Sequence, residues 1–136
     1  MPVVEELIRV ESGGELSFGN HLAKSKQKLP AFEVKGDVYS IKSSAEMTKL
    51  EKNENLLFES VPGATVLSFV MTEKEISFTL YGADDTQIIL ELEPSAEYDI
   101  FVNGAGLGKV KTTMSGKLVF SAELSDEPVE VKVRKA

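Results

Sequence analysis

The stretch Ile76-Ser77-Phe78-Thr79-Leu80, broken at Asp84-Asp85 and resumed as Ile88-Ile89-Leu90-Glu91-Leu92, decides the fold. Apolar side chains occupy every second position in both halves. That is the period of an extended strand with one face on a core, and it does not fit the 3.6-residue period of a helix. The same alternation recurs at Tyr98, Ile100 and Val102, at Leu118, Phe120, Ala122 and Leu124, and at Val129, Val131 and Val133. The intervening residues are mostly polar or charged, as expected when the opposite sheet face meets water.

Turn chemistry separates the runs. Asn103-Gly104 and Gly13-Gly14 suit tight hairpins, and Pro62-Gly63 suits a type II turn. Ser115-Gly116 and Asp126-Glu127-Pro128 end further runs. Runs between breaks number about ten to twelve, which predicts an all-β, antiparallel β-sandwich, jelly-roll or Ig-like, in a single domain over residues 1–136. At most one short helix is expected. Residues 43–53 are its only candidate, with Ser43 and Glu46 placed as a capping box. A strand pair turning at Lys52-Asn53-Glu54-Asn55 is the preferred reading, because Leu56-Leu57-Phe58 follows at once.

Composition narrows the function classes. Among 136 residues there are 22 acidic and 15 basic side chains, for a net charge of −7, with no Cys, no Trp and one His. An acidic chain is a poor nucleic-acid ligand, since that affinity comes from cations displacing counterions. Without cysteine there are no disulfides, thiol nucleophiles or thiolate metal sites. The opening Met1-Pro2-Val3-Val4-Glu5-Glu6 lacks a basic, apolar leader, and no apolar run reaches membrane-spanning length, so a cytoplasmic protein without membrane contact is expected.

Candidate sites follow from residue type and spacing. His21-Leu22-Ala23-Lys24-Ser25-Lys26-Gln27-Lys28 is the one basic interruption, read as a solvated loop or protected edge. Its functional alternative is an anion or partner patch of His21, Lys24, Lys26 and Lys28. His21 is the only available catalytic base, but no Gly-x-Ser-x-Gly elbow accompanies it and exposure beside the lysines is expected. Glu91 and Glu93, two apart on one strand, sit at a spacing permitted for a glycosidase pair but on a wet face that would not raise a pKa. Gly104-Ala105-Gly106-Leu107-Gly108-Lys109 is one residue short of a phosphate loop and is followed by a strand, so it reads as a hairpin joining Val102 to a strand around Lys109 to Thr112. No cofactor is expected.

Leu92 to Gly104, Gly108 to Thr112, Ser115 to Leu124 and Val129 to Val133 together resemble the end of the accessory β-sandwich domains of polysaccharide lyases and glycosidases. The shared features are a Tyr strand, an Asn-Gly turn, a Ser-Gly-Lys turn and a final valine strand. Through Leu16-Ser17-Phe18-Gly19-Asn20 and Phe58-Glu59-Ser60-Val61-Pro62-Gly63, the whole chain resembles short bacterial proteins labelled endosialidase. Sialic-acid-cleaving enzymes imply a propeller with clustered arginines and a tyrosine nucleophile. This chain has only Arg9 and Arg134, at opposite ends, so no catalytic residue is carried over.

Two function classes follow. A non-catalytic interaction or structural module, binding itself or a protein partner as a homo-oligomer, is expected from the outward apolar Ile89, Phe101 and Val119. A carbohydrate-binding module is the alternative, with Tyr39 and Tyr81 as its sugar platform. An endosialidase-like glycosidase comes third.

Overall fold

The computed structural model describes residues 2–125 and 127–136. Met1, where the chain opens, and Asp126, expected in the last turn, lie outside the described residues. The chain forms thirteen strands in two antiparallel sheets, with no helix among the described residues. The seven-stranded sheet runs β1 (Ile8–Val10), β2 (Leu16–Phe18), β7 (Thr65–Met71), β8 (Glu75–Tyr81), β13 (Val129–Lys135), β10 (Glu97–Val102) and β11 (Ala105–Lys111). The six-stranded sheet runs β12 (Lys117–Ala122), β9 (Thr86–Glu91), β6 (Asn55–Val61), β5 (Thr48–Lys52), β4 (Asp37–Ser43) and β3 (Gln27–Val34).

Strands β3 to β6 form a meander. Two of its turns, Lys35-Gly36 and Asn53-Glu54, hold two residues at positive φ, the mirror-image turn whose twist matches that of the strands it joins. Residues 43–53 are therefore hairpin. Ser43 is fully buried and caps nothing; its hydroxyl accepts from the Asn20 N–H at 2.8 Å. Asn103-Gly104, also at positive φ, closes β10 onto β11, with Val102 opposite Ala105. Gly106 and Gly108 thus lie within β11 and not in a loop, which corrects the expectation that the strand begins near Lys109.

Pro62-Gly63 is also corrected. Gly63 does not take the positive φ that a type II turn requires. Glycine is needed there because a Cβ would collide with the Ser44 carbonyl oxygen. The break is built on close approach of two chain segments.

The two sheets share one continuous core, and the six-stranded sheet contributes an unbroken inward row to it. Leu29, Ile41, Leu50, Phe58, Leu90 and Leu118 stand opposite one another across six strands. All but Leu29 are fully buried. Phe58 is the contact with the facing sheet. Its ring meets Phe18, Phe69 and Phe78 at 5.3, 6.4 and 5.7 Å between centroids, edge to face in each case.

Truncation at this contact is expected to be costly. Phe58→Ala should lose about 3–5 kcal/mol in urea unfolding, because it removes ring burial and leaves a cavity between the sheets. Phe101→Ala, on an outer face, should lose about 1 kcal/mol or less.

Candidate functional site

The outward row adjacent to the core row carries the most distinctive surface. Lys28, Lys42, Lys49, Glu59, Ile89 and Val119 are paired in register across the same six strands. Each interior member lies between buried residues, which forces its side chain to the outside. The row is graded, with three lysines at the β3 end, one glutamate, and two apolar residues at the β12 end. Lys42 faces a lysine on either side, the like-charge arrangement that opposes sheet pairing. Lys49 meets Glu51 at 4.0 Å. Among the described residues, Lys24, Lys26, Lys28 and Lys42 make no ion pair.

The basic patch expected from the sequence is therefore rearranged. Lys24 and Lys26 are exposed in the approach to β3, and Lys28 is exposed on the β3 edge. His21 does not belong with them. It is 2% exposed, its backbone N–H and its ring Nδ1 both meet Thr65 Oγ1, at 3.2 and 2.7 Å, and its Nε2 is buried without a partner. Burial pushes its pKa below the ordinary value. The expectation of an exposed His21 is overturned by a partner 44 residues away in the chain. Lys42 and Lys49 are the residues that sequence reading missed. Single lysines on amphipathic strands carry no local signal, and only cross-strand register brings them beside Lys28.

A shallow depression of about 530 Å³ adjoins the lysine row. Pro30 and Val38 give it an apolar wall, and Ser40, Glu51 and Asn53 supply polar atoms. Val38 is 41% exposed.

The candidate interface residues divide between the two outer faces. Ile89 and Val119 are directly opposite one another on the six-stranded sheet, and Val119 is 38% exposed. Phe101 lies on the outside of the other sheet, across Gly106 and under the Arg134 guanidinium, 5.8 Å from its ring centre. That outer face carries a charge ladder: Glu75, Arg134, Asp99 and Lys109 are paired in turn, with Arg134 on Glu75 at 3.2 Å and Lys109 on Asp99 at 3.3 Å. Beside the ladder, Ser77, Thr79, Phe101 and Lys132 line a depression of about 550 Å³.

The sugar platform is not assembled. Tyr39 points into the core, where burial, with Asp37 nearby, raises its phenol pKa above the ordinary value. Tyr81 is half-buried at the end of β8, opposite Thr65. Glu91 ends β9, whereas Glu93 lies beyond it and is engaged by Lys135 of the other sheet. Both border a depression of about 590 Å³ together with Glu73, Tyr98 and Lys135. No family model, curated protein or solved structure matches the chain.

Two measurements test these placements. His21 is held neutral in the fold and protonates freely when unfolded near pH 6.5, so its contribution is complete above that value and is lost as pH falls through the lowered folded pKa. The urea midpoint should therefore drop as pH falls below about 6.5, and His21→Gln should flatten that slope. Lys42→Glu replaces two cross-strand repulsions by attractions. It should raise stability by about 0.5–1 kcal/mol at low salt, with the gain shrinking as salt is added.

Proposed function

We propose that the protein is a non-catalytic interaction module that self-associates through the β12 edge of its six-stranded sheet. One observation carries the reading: among the described residues, β12 is the edge strand of more than three residues that has no Gly, no Pro and no register shift, and its one charge, Lys117, stands at its first position, where Thr113 bonds the backbone. On β3, Pro30 removes a donor, Lys28 adds charge, and the register shifts between Leu29 and Phe32. Strand β11 carries Gly106, Gly108, Lys109 and Lys111, and its register also shifts. Strand β1 is three residues long, with Arg9 at its centre. Strand β12 pairs with β9 over six consecutive positions without a shift, contains neither Gly nor Pro, and turns Val119 outward beside Ile89.

The edge is also self-complementary. In an antiparallel pair of β12 strands centred on Val119, Leu118 falls opposite Phe120 of the second copy and the Lys117 side chain opposite Ser121, so no like charges meet; the bonds of Thr113 to the Lys117 backbone limit the pairing to the middle of the strand. Val119 and Ile89 from both copies then form one apolar strip. Burial of His21 against Thr65 supports the non-catalytic part of the reading, since the chain's one imidazole is closed to substrate.

Light scattering on a gel-filtered sample should give a dimer mass. Val119→Lys should return a folded monomer, whereas Leu107→Lys, on the β11 edge, should leave the dimer intact. A monomer at every concentration, or a dimer that survives Val119→Lys, would refute the proposal.

A further inference from the structure

We infer that the lysine row of the six-stranded sheet is a docking site for an extended acidic peptide segment, with an apolar side chain of that peptide seated in the neighbouring depression. The site stands at the opposite edge from β12, roughly 24 Å away by strand spacing, so it does not depend on self-association. Three observations converge on it.

First, Lys28, Lys42 and Lys49 form a line perpendicular to the strands, with neighbours about 4.8 Å apart at the backbone. Lys26 and Lys24 lie in the chain leading up to Lys28. Edge protection accounts for Lys28, but β4 and β5 are interior strands. Lys49 has Glu59 opposite it and meets Glu51, but Lys42 is set between two lysines in a chain with 22 carboxylates available as partners. A bound anion relieves that repulsion, which makes the row a surface complementary to negative charge.

Second, the charges are spread and not convergent. A compact anion such as phosphate is held by donors that point at one place, or by the fork of an arginine. Here every cation is a lysine, and the row suits carboxylates distributed along an extended ligand.

Third, the adjoining depression is lined by Pro30, Val38, Ser40, Glu51, Asn53 and Glu54, with no aromatic ring among them. Bases of single-stranded nucleic acid and the faces of sugar rings are ordinarily bound on aromatic platforms. The aliphatic wall of Pro30 and Val38 fits an aliphatic side chain instead, and the Ser40 hydroxyl offers a hydrogen bond to a peptide backbone. Glu51, which meets Lys49, and Glu54 would repel a ligand that is anionic throughout, and so favour one whose carboxylates lie over Lys28 and Lys42.

The test is fluorescence anisotropy with a labelled peptide in which glutamates flank one leucine. Binding should weaken as salt is raised, and Lys42→Glu should reduce affinity about tenfold, a loss of about 1.4 kcal/mol. Lys132→Glu, on the other sheet, should leave affinity unchanged. Val38→Ser should weaken the leucine peptide but not its alanine counterpart. Because Lys42→Glu is expected to fold more stably than the parent, lost binding in that variant cannot be ascribed to unfolding, and circular dichroism checks this directly. Absence of binding by the parent, or affinity unaffected by Lys42→Glu, would overturn the inference. So would displacement of the peptide by polyuronate or single-stranded RNA at lower charge concentration than by unlabelled peptide. Val119→Lys should bind the peptide as well as the parent, which separates this site from the dimer edge.

Discussion

Phe58 inserted among Phe18, Phe69 and Phe78 is the contact on which the rest of the sandwich depends. One sheet supplies a single ring and the other supplies three, so the sheets are keyed at this point and do not simply rest on each other. The key also fixes the strands. Phe58 belongs to the row Leu29, Ile41, Leu50, Leu90 and Leu118, and a slip of one residue in any strand would turn its member of that row to water. The outward row is thereby fixed as well. Lys28, Lys42, Lys49, Glu59, Ile89 and Val119 stand in line because their inner neighbours have to.

Closure of one end of the sandwich uses a different interaction. Gly19, Ser43, Thr48, Ala64 and Thr65 come together there in a buried polar network. Ser43 and Thr48 hydroxyls meet at 2.7 Å, and the Thr48 hydroxyl donates to the Ala64 carbonyl at 2.7 Å. Thr86 donates to the Pro62 carbonyl at 2.6 Å. These bonds satisfy loop backbone that would otherwise be buried without partners. Gly19 is held at positive φ, and a Cβ there would lie 2.6 Å from the Ala64 oxygen, so the approach requires glycine. Another buried hydroxyl pins an edge: Ser17 bonds the Glu11 carboxylate and accepts from Ser68 N–H at 3.0 Å, while Arg9 meets Glu11 at 3.0 Å. The Ser17 bond, followed by the Arg9 bond, keeps the Glu11 pKa below its ordinary value.

The two proposed surfaces sit at opposite edges of one sheet. Self-association at β12 would place the two lysine rows at the far ends of a continuous sheet, both open to solvent. A dimer built in this way presents two equivalent peptide sites and gains avidity toward any partner that carries repeated acidic segments.

Much of the architecture was legible along the chain because strand alternation and turn chemistry are local. Residues 76–80, 98–100, 118–124 and 129–133 bury the residues their spacing assigned, Val102 is half-buried, and Asn103-Gly104 turns where its conformational freedom allows it. What was illegible depended on distant partners. His21 looked exposed because its sequence neighbours are lysines, yet Thr65 takes it into the interior. Tyr39 looked like a surface platform until the inward face of β4 claimed it. The sequence by itself determined the fold class and the inward face of most strands, since both follow from the two-residue period and from the cost of leaving apolar area in water. Only the tertiary structure decided which outward residues meet, because register between strands depends on the packing of the opposite face. For that reason the alignment of Lys28, Lys42 and Lys49, and the pairing of Ile89 with Val119, exist only in three dimensions.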